Sequence, residues 1–246
     1  MRISVIIATW NSEASIDQCL RSVLEQLLPV EVLLVDGGSS DRTLEIVRRH
    51  EGRLTRWVSE PDQGVYDALN KGVRLARGDY VYILGSDDCL ADPEALLRLL
   101  DGGHGADVIY GEIVVKDLRG RLRRSQPLSL TRFRYQMPFS HQAVLVRREL
   151  LIAFPFGKSV ASDYRHLYTL YIQGARFQQV PTPVAIYALG GLSDRHAVAS
   201  TWDRWRINVA LRRWRALDVL PFYLAQIGVC WLKPRLLRAL RLRRLH

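Results

Sequence analysis

Two adjacent carboxylates, Asp87 and Asp88, close the apolar run Tyr80-Val81-Tyr82-Ile83-Leu84-Gly85-Ser86 and have the most chemistry to offer in this sequence. Neighbouring carboxylates repel unless a proton or a cation intervenes, and hard oxygen donors suit Mg²⁺ or Mn²⁺. The same residues serve equally well as the cap of a helix opening near Asp92-Pro93. Polar residues also follow two other apolar runs, Thr9-Trp10-Asn11 after Ile3 to Ala8 and Asp36 after Val30 to Val35. An aromatic such as Trp10 can stack on a base, and a carboxylate such as Asp36 can hydrogen-bond a base or ribose. The structural alternatives are a core tryptophan and a turn-forming acid before Gly37-Gly38.

These residues gain meaning only if one edge of a sheet collects them. Ile3–Thr9, Val30–Val35, Leu54–Ser59 and the run beginning at Tyr80 read as strands. Between them lie helical patterns. The first has the apolar face Ile16, Leu20, Val23, Leu24 and Leu27, with Asn11 or Ser12 as its cap. Others follow from Asp41 to His50, from Val65 to Ala76 and from Pro93 to Leu100. This alternation predicts an α/β fold, a doubly wound, Rossmann-like parallel sheet whose strand ends form a ligand crevice. After Asp107 the pattern changes. Val108–Lys116, Leu122–Ser125, His141–Arg147 and Phe177–Tyr187 read as strands and Ser162–Ile172 as a helix, a mixed continuation of the same sheet. No Gly-x-Gly-x-x-Gly follows the first strand and no Gly-x-x-x-x-Gly-Lys-Ser/Thr occurs, which argues against dinucleotide cofactors and P-loop chemistry.

The chain of 246 residues is 48% hydrophobic, as a globular protein is. Cys19, Cys89 and Cys230 show no pairing or metal-ligand spacing, and the first strand begins with no targeting pattern, so a cytoplasmic location is expected. The net charge is +10, and residues 202–246 alone carry 11 Arg and Lys against two acids, leaving +1 for residues 1–201. The reading is therefore a domain over 1–201, with halves 1–117 and 118–201, followed by a basic extension over 202–246. Val219–Leu232 is too short to span a bilayer, which takes about 20 residues. The arginines and leucines beyond it suit a helix lying on an anionic membrane surface. A C-terminal helix packed on the domain is the competing reading.

Ser4-Val5-Ile6-Ile7-Ala8-Thr9-Trp10-Asn11, Val35-Asp36-Gly37-Gly38-Ser39-Ser40-Asp41-Arg42-Thr43 and Gly85-Ser86-Asp87-Asp88 resemble the family 2 glycosyltransferases of GT-A fold. Ser59-Glu60-Pro61-Asp62-Gln63-Gly64 and Tyr66-Asp67-Ala68-Leu69-Asn70-Lys71-Gly72 resemble a bacterial subset that builds O-antigen and exopolysaccharide. The departure is Ala8-Thr9-Trp10, where the family often has Pro-Thr-Tyr. The resemblance implies an inverting transfer from a nucleoside-diphosphate sugar, a UDP-sugar above all, to a lipid-linked saccharide. It places Thr9, Trp10, Asn11, Asp36 and Asn70 at the donor, with Asp36 near the base and Asp87 and Asp88 at the metal. Only five acids lie between Leu118 and His246, and of these Asp163, at a helix start, stands where the family carries its catalytic carboxylate. His141 falls at the acceptor side. In the loop 190–196, Arg195 or His196 could close over the diphosphate. With such a donor the basic extension finds its partner at the inner face of the cytoplasmic membrane rather than in nucleic acid. Two alternatives stay open: a synthase loading sugar onto polyprenyl phosphate, with Arg132 and Arg134 as a phosphate pocket, and a non-catalytic nucleotide-sugar-binding subunit.

Overall fold

The computed structural model describes residues 1–117, 119–188 and 197–229. The first apolar run forms β1 (Ile3–Thr9), buried almost throughout. It pairs in parallel with β2 (Val30–Asp36) on one side and with β4 (Tyr80–Gly85) on the other, and β3 (Arg56–Ser59) adds to β2. Beyond β4 the sheet becomes mixed. β8 (Val144–Arg147) runs antiparallel to β4, then come β6 (Val108–Lys116), β9 (Phe177–Ala188) and β5 (Cys89–Leu90), with β7 (Leu122–Ser125) paired to β6. Strand order among the described residues is thus β3-β2-β1-β4-β8-β6-β9-β5.

Helices cover both faces, as a sheet of continuous apolar strands requires. On one face α1 (Ile16–Leu24) buries Ile16, Cys19, Leu20 and Val23, the spacing of a single helical stripe, beside α2 (Thr43–Arg49) and α4 (Ala95–Gly102). On the other face α3 (Val65–Leu75), α5 (Arg148–Ala153) and α6 (Ser162–Ile172) share a second core with Val81, Val144 and Val146. α3 lies unusually close to β1, because a side chain at Gly72 would run into Ile6.

Several local expectations are corrected. Neither Asn11 nor Ser12 caps α1 through its side chain; the Ser12 carbonyl accepts from Ser15 and Ile16 in a turn, and the helix starts at Ile16. His141 does not begin a strand. It sits in a 3₁₀ turn, His141–Ala143, ahead of β8. The 3₁₀ turn Leu130–Arg134 had no clear sequence signal.

The helix α7 (Ala197–Arg212) continues unbroken across residues 201 and 202, where sequence composition changes. Arg213, at φ 56°, turns the chain into a 3₁₀ segment, Arg213–Val219, and residues 220–229 are helical. Ile207, Ala216, Val219 and Tyr223 are buried against the domain. The Tyr223 hydroxyl accepts from Asn208 Nδ2 at 2.9 Å, meets the Tyr164 hydroxyl at 3.5 Å and donates to the Arg134 carbonyl at 3.3 Å. The segment after residue 202 thus packs on helix α6, while Trp202, Trp214, Leu217 and Leu224 stay exposed. Among the described residues no helix is long and apolar enough to cross a membrane.

Because Tyr223 is a buried aromatic with a bonded hydroxyl, Tyr223→Ala is predicted to cost about 3 to 5 kcal/mol, as large-to-small aromatic changes do. Trp214→Ala, at an exposed ring, should change stability by no more than about 0.5 kcal/mol. Urea unfolding of both variants tests this. Equal, small effects would show that the segment after residue 202 is not part of the core.

Candidate active site

Three strand ends meet at one edge of the sheet. Thr9 pairs with Asp36, and Ala8 with Gly85, so the loops after β1, β2 and β4 are neighbours. Hydroxyls tie them together: Ser12 Oγ lies 2.8 Å from Ser86 Oγ, and the Ser12 N–H donates to Thr43 Oγ1 at 2.7 Å. Asn11 adopts φ 47°, a left-handed conformation that Asn tolerates better than most residues. Its N–H donates to Ser39 Oγ and its Oδ1 accepts from the Ser40 N–H. Asp36 is fully buried and accepts from the Gly38 and Ser39 N–H groups and from the Ser39 and Ser59 hydroxyls. Asn11 and Asp36 thus shape the loop at residues 37–40. Trp10 is 66% exposed, while Thr9 Oγ1 is buried and has no hydrogen-bond partner.

At the end of β4 the chain turns back so that the Asp88 N–H donates to the Gly85 carbonyl. A Cβ placed on Gly85 would lie 2.7 Å from Asp88 Oδ2 and 2.9 Å from Asp87 Oδ1. A side chain at this position would have to displace the tips of both carboxylates. Asp88 is buried and Asp87 exposed, which gives the pair one anchored and one accessible oxygen donor group. Among the described residues no cluster of three His, Cys, Asp or Glu side chains is placed to hold a metal ion. Two carboxylates suffice for Mg²⁺-type sites that draw their remaining ligands from substrate phosphates and water, so this donor set fits a divalent cation delivered with a diphosphate.

A second cluster forms around Asp163 in the first turn of α6. Its Oδ2 lies 3.1 Å from His141 Nδ1, and its Oδ1 accepts from the Tyr66 hydroxyl of α3 at 3.1 Å. Burial alone would raise the Asp163 carboxyl. The hydrogen bond and charge of His141, with the Tyr164 N–H and Tyr66 hydroxyl, outweigh it and hold the group below the ordinary carboxylate value. Burial likewise works to lower His141, but Asp163, with Asp88 and Asp87 behind it, raises the imidazole above its usual value. Tyr66 is pushed up by burial and by Asp163, so it remains a donor. The turn carrying His141 is itself pinned, since Tyr82 donates to the Gln142 carbonyl and Ser140 to the Gln142 side chain.

One cavity of about 660 Å³ is bordered by Gly85, Asp87, Asp88, Tyr66, His141 and Asp163. The acid pair, His141 and Asp163, which the sequence offered for separate roles, thus border one cavity. Thr9, Trp10, Asn11 and Asp36 lie along the neighbouring strand ends and do not border this cavity. Asn70 borders it with both side-chain termini engaged: Nδ2 donates to the Phe156 carbonyl at 2.8 Å and Oδ1 accepts from the Phe156 N–H at 3.0 Å. Its visible role is to hold the Phe156 segment. Arg132 and Arg134 do not border the cavity and lie against the Tyr135 ring. Arg195 and His196 lie outside the described residues. Sequence reasoning missed Tyr66, Gly85 and His166 as site-forming residues, although Tyr66 and Gly85 both lie inside motifs it singled out.

Comparison with known proteins places this geometry. Residues 4–161, well over half of the chain, match Glycosyl transferase family 2. The chain is 36% identical over 154 residues to a PGL/p-HBAD biosynthesis glycosyltransferase of Mycobacterium bovis, covering 60% of this chain and 59% of that protein. It thus spans less than two thirds of that relative's length. Among solved structures, S. aureus TarS in complex with UDP-GlcNAc aligns with TM-score 0.67 at 24% identity, over 86% of this chain and 65% of that one. A mannosyltransferase from Pyrobaculum calidifontis in complex with GDP-Man and Mn²⁺ aligns with TM-score 0.64 at 20% identity, over 100% and 81%. At those identities the structural likeness establishes the fold, which is GT-A. With that fold, and with a family match that runs from β1 to the residue before α6, this chain belongs to glycosyl transferase family 2.

Proposed function

We propose that the protein is an inverting, metal-dependent glycosyltransferase that moves a sugar from a UDP-sugar to a lipid-linked saccharide in cell-surface polysaccharide synthesis. One observation carries this reading: the convergent Asp87–Asp88 pair and the Tyr66–Asp163–His141 cluster border a single cavity. The relatives' own ligands, UDP-GlcNAc with TarS and GDP-Man with Mn²⁺ in the archaeal enzyme, support a nucleotide-sugar donor and a divalent cation.

In this reading Asp87 and Asp88 hold Mn²⁺ or Mg²⁺, which when bound supplies Lewis-acid stabilisation of the charge on the departing diphosphate. Thr9, Trp10 and Asn11 form the nucleoside side, Trp10 offering an exposed ring for stacking and Thr9 Oγ1 an unused polar atom. Asp36 and Asn70 act by fixing the loops that donor and acceptor meet, and Arg195 is the cation assigned to the diphosphate. Asp163 takes the proton of the acceptor hydroxyl. A carboxylate held ionised is ready across the physiological range, and its low basicity is overcome late, once bond formation to the anomeric carbon acidifies the hydroxyl. His141 and Tyr66 keep the carboxylate in place, and His141 also reaches the acceptor.

The lipid-linked acceptor and an anionic membrane surface at the cytoplasmic face are inferred from the basic 202–246 segment. Trp202, Trp214, Leu217 and Leu224, exposed on its described part, suit interfacial insertion beside arginines.

Asp88→Ala is predicted to abolish Mn²⁺-dependent binding of UDP-sugar, and Gly85→Ala to weaken it by forcing the two carboxylates apart. Calorimetry on the folded variants, with and without Mn²⁺, checks this; unchanged affinity would remove the cation from these residues.

Asp163→Asn should retain donor binding and lose about 10² to 10⁴ in transfer rate, the usual weight of a general base. In the pH profile of kcat/KM, activity rises as Asp163 ionises, so the acid limb should fall below the ordinary carboxylate value of 3.8. His141→Ala removes the main interaction that lowers this group and should move the limb upward. A limb in the imidazole range that vanishes in His141→Ala would make His141 the proton acceptor.

A further inference from the structure

The cavity does not end at its charged residues. It continues into the second core, where Leu69 of α3, Val81 of β4, Val144 and Val146 of β8, Leu151 of α5 and Leu167 of α6 border it, each buried. Protein interiors pack like organic crystals, with few voids larger than a water molecule. An apolar opening gives water few partners; one of about 150 Å³ stays dry yet admits benzene.

The segment bordering this chamber is held in place rather than collapsed into it. Asn70 bonds both backbone groups of Phe156, and His166 Nδ1 lies 2.7 Å from the Phe154 carbonyl. The Phe156 ring stands between Tyr66 and His166, at 5.6 and 5.3 Å between centroids. His166 is 4% exposed and borders the cavity, and its Nε2 has no hydrogen-bond partner. Burial keeps this imidazole neutral, with its pKa lowered to about 4, so Nε2 is an acceptor waiting for a donor.

We propose that this chamber binds the hydrophobic aglycone of the acceptor, so that the attacked hydroxyl belongs to a sugar attached directly to an apolar chain or ring. Leu167 lies one helical turn beyond Asp163, and Tyr66 touches both Asp163 and the Phe156 ring, so the apolar wall begins beside the carboxylate. The enzyme then acts on the first sugars of a glycolipid, not at the distal tip of a long saccharide, and a ligand hydroxyl donates to His166 Nε2. The proposal rests on the reading that Asp163 marks the acceptor side.

Calorimetry of the full chain with octyl glucoside below its micelle concentration, and with methyl glucoside, tests it without requiring turnover. Octyl glucoside should bind about tenfold or more tightly than methyl glucoside, the gain expected from burying a few methylenes. Leu151→Phe, which fills the chamber, should remove about fivefold or more of that affinity, and so should Val144→Thr, which places an unpaired hydroxyl in its wall. Val144→Thr carries the test if Leu151→Phe fails to give a cooperative thermal melt. Equal binding of the two glucosides, or octyl binding untouched by both changes, overturns the proposal. Loss of all transfer with this binding pattern intact contradicts the glycosyltransferase reading and leaves the chamber standing.

Discussion

Parallel strands that pair in register end together, and in this chain that constraint fixes the site. β1 is bonded on both edges, to β2 and to β4, so Thr9, Asp36 and Gly85 are brought to neighbouring positions. The strands are apolar on both faces because helices cover them on both sides, and the polar residues are thereby driven to the strand ends. A one-residue slip between β1 and β4 would turn every buried side chain of β4 to the opposite face. The position of Asp87 and Asp88 is therefore paid for by the whole parallel half of the sheet.

Asp163 depends on a different kind of support. No regular pairing positions it; three separate elements do. α6 supplies the carboxylate, α3 supplies the Tyr66 hydroxyl, and the turn before β8 supplies His141. The same α6 carries Tyr164, which donates to the Phe133 carbonyl, accepts from Asn208 and lies beside the Tyr223 hydroxyl. The C-terminal segment is thus mechanically joined to the helix that carries Asp163, one residue away from it. A packed segment and a membrane-facing surface are compatible here, since Tyr223 is buried while Trp214 and Leu217 of the same segment are exposed.

Most of the parallel half was legible in the sequence, because short apolar runs alternate there with helical patterns over short loops. The ranges expected for β1, β6, β7 and α6 coincide with those observed, whereas the ion pair between Asp163 and His141 was not foreseen, since the sequence offered the two for separate roles. What was illegible depended on contacts between distant segments. Nothing local in Tyr66 or Asn70 says that one will bond Asp163 and the other the backbone of Phe156, 86 residues on. The cap assigned to Asn11 or Ser12 failed because both side-chain oxygens serve other loops: Asn11 Oδ1 accepts from the Ser40 N–H, and Ser12 Oγ meets Ser86 Oγ. Composition divided the chain after residue 201; one helix runs through that point, and Ile207 and Tyr223 beyond it are buried.

The central claim is a single base, Asp163, acting across from a leaving diphosphate, with no second carboxylate serving as a nucleophile. Proton NMR of the first product formed from an α-linked UDP-sugar tests it most directly, because the anomeric coupling reports the configuration before any later exchange. The account predicts a β-linked product. An α-linked product would require two displacements or a same-face mechanism, and would contradict the role given to Asp163.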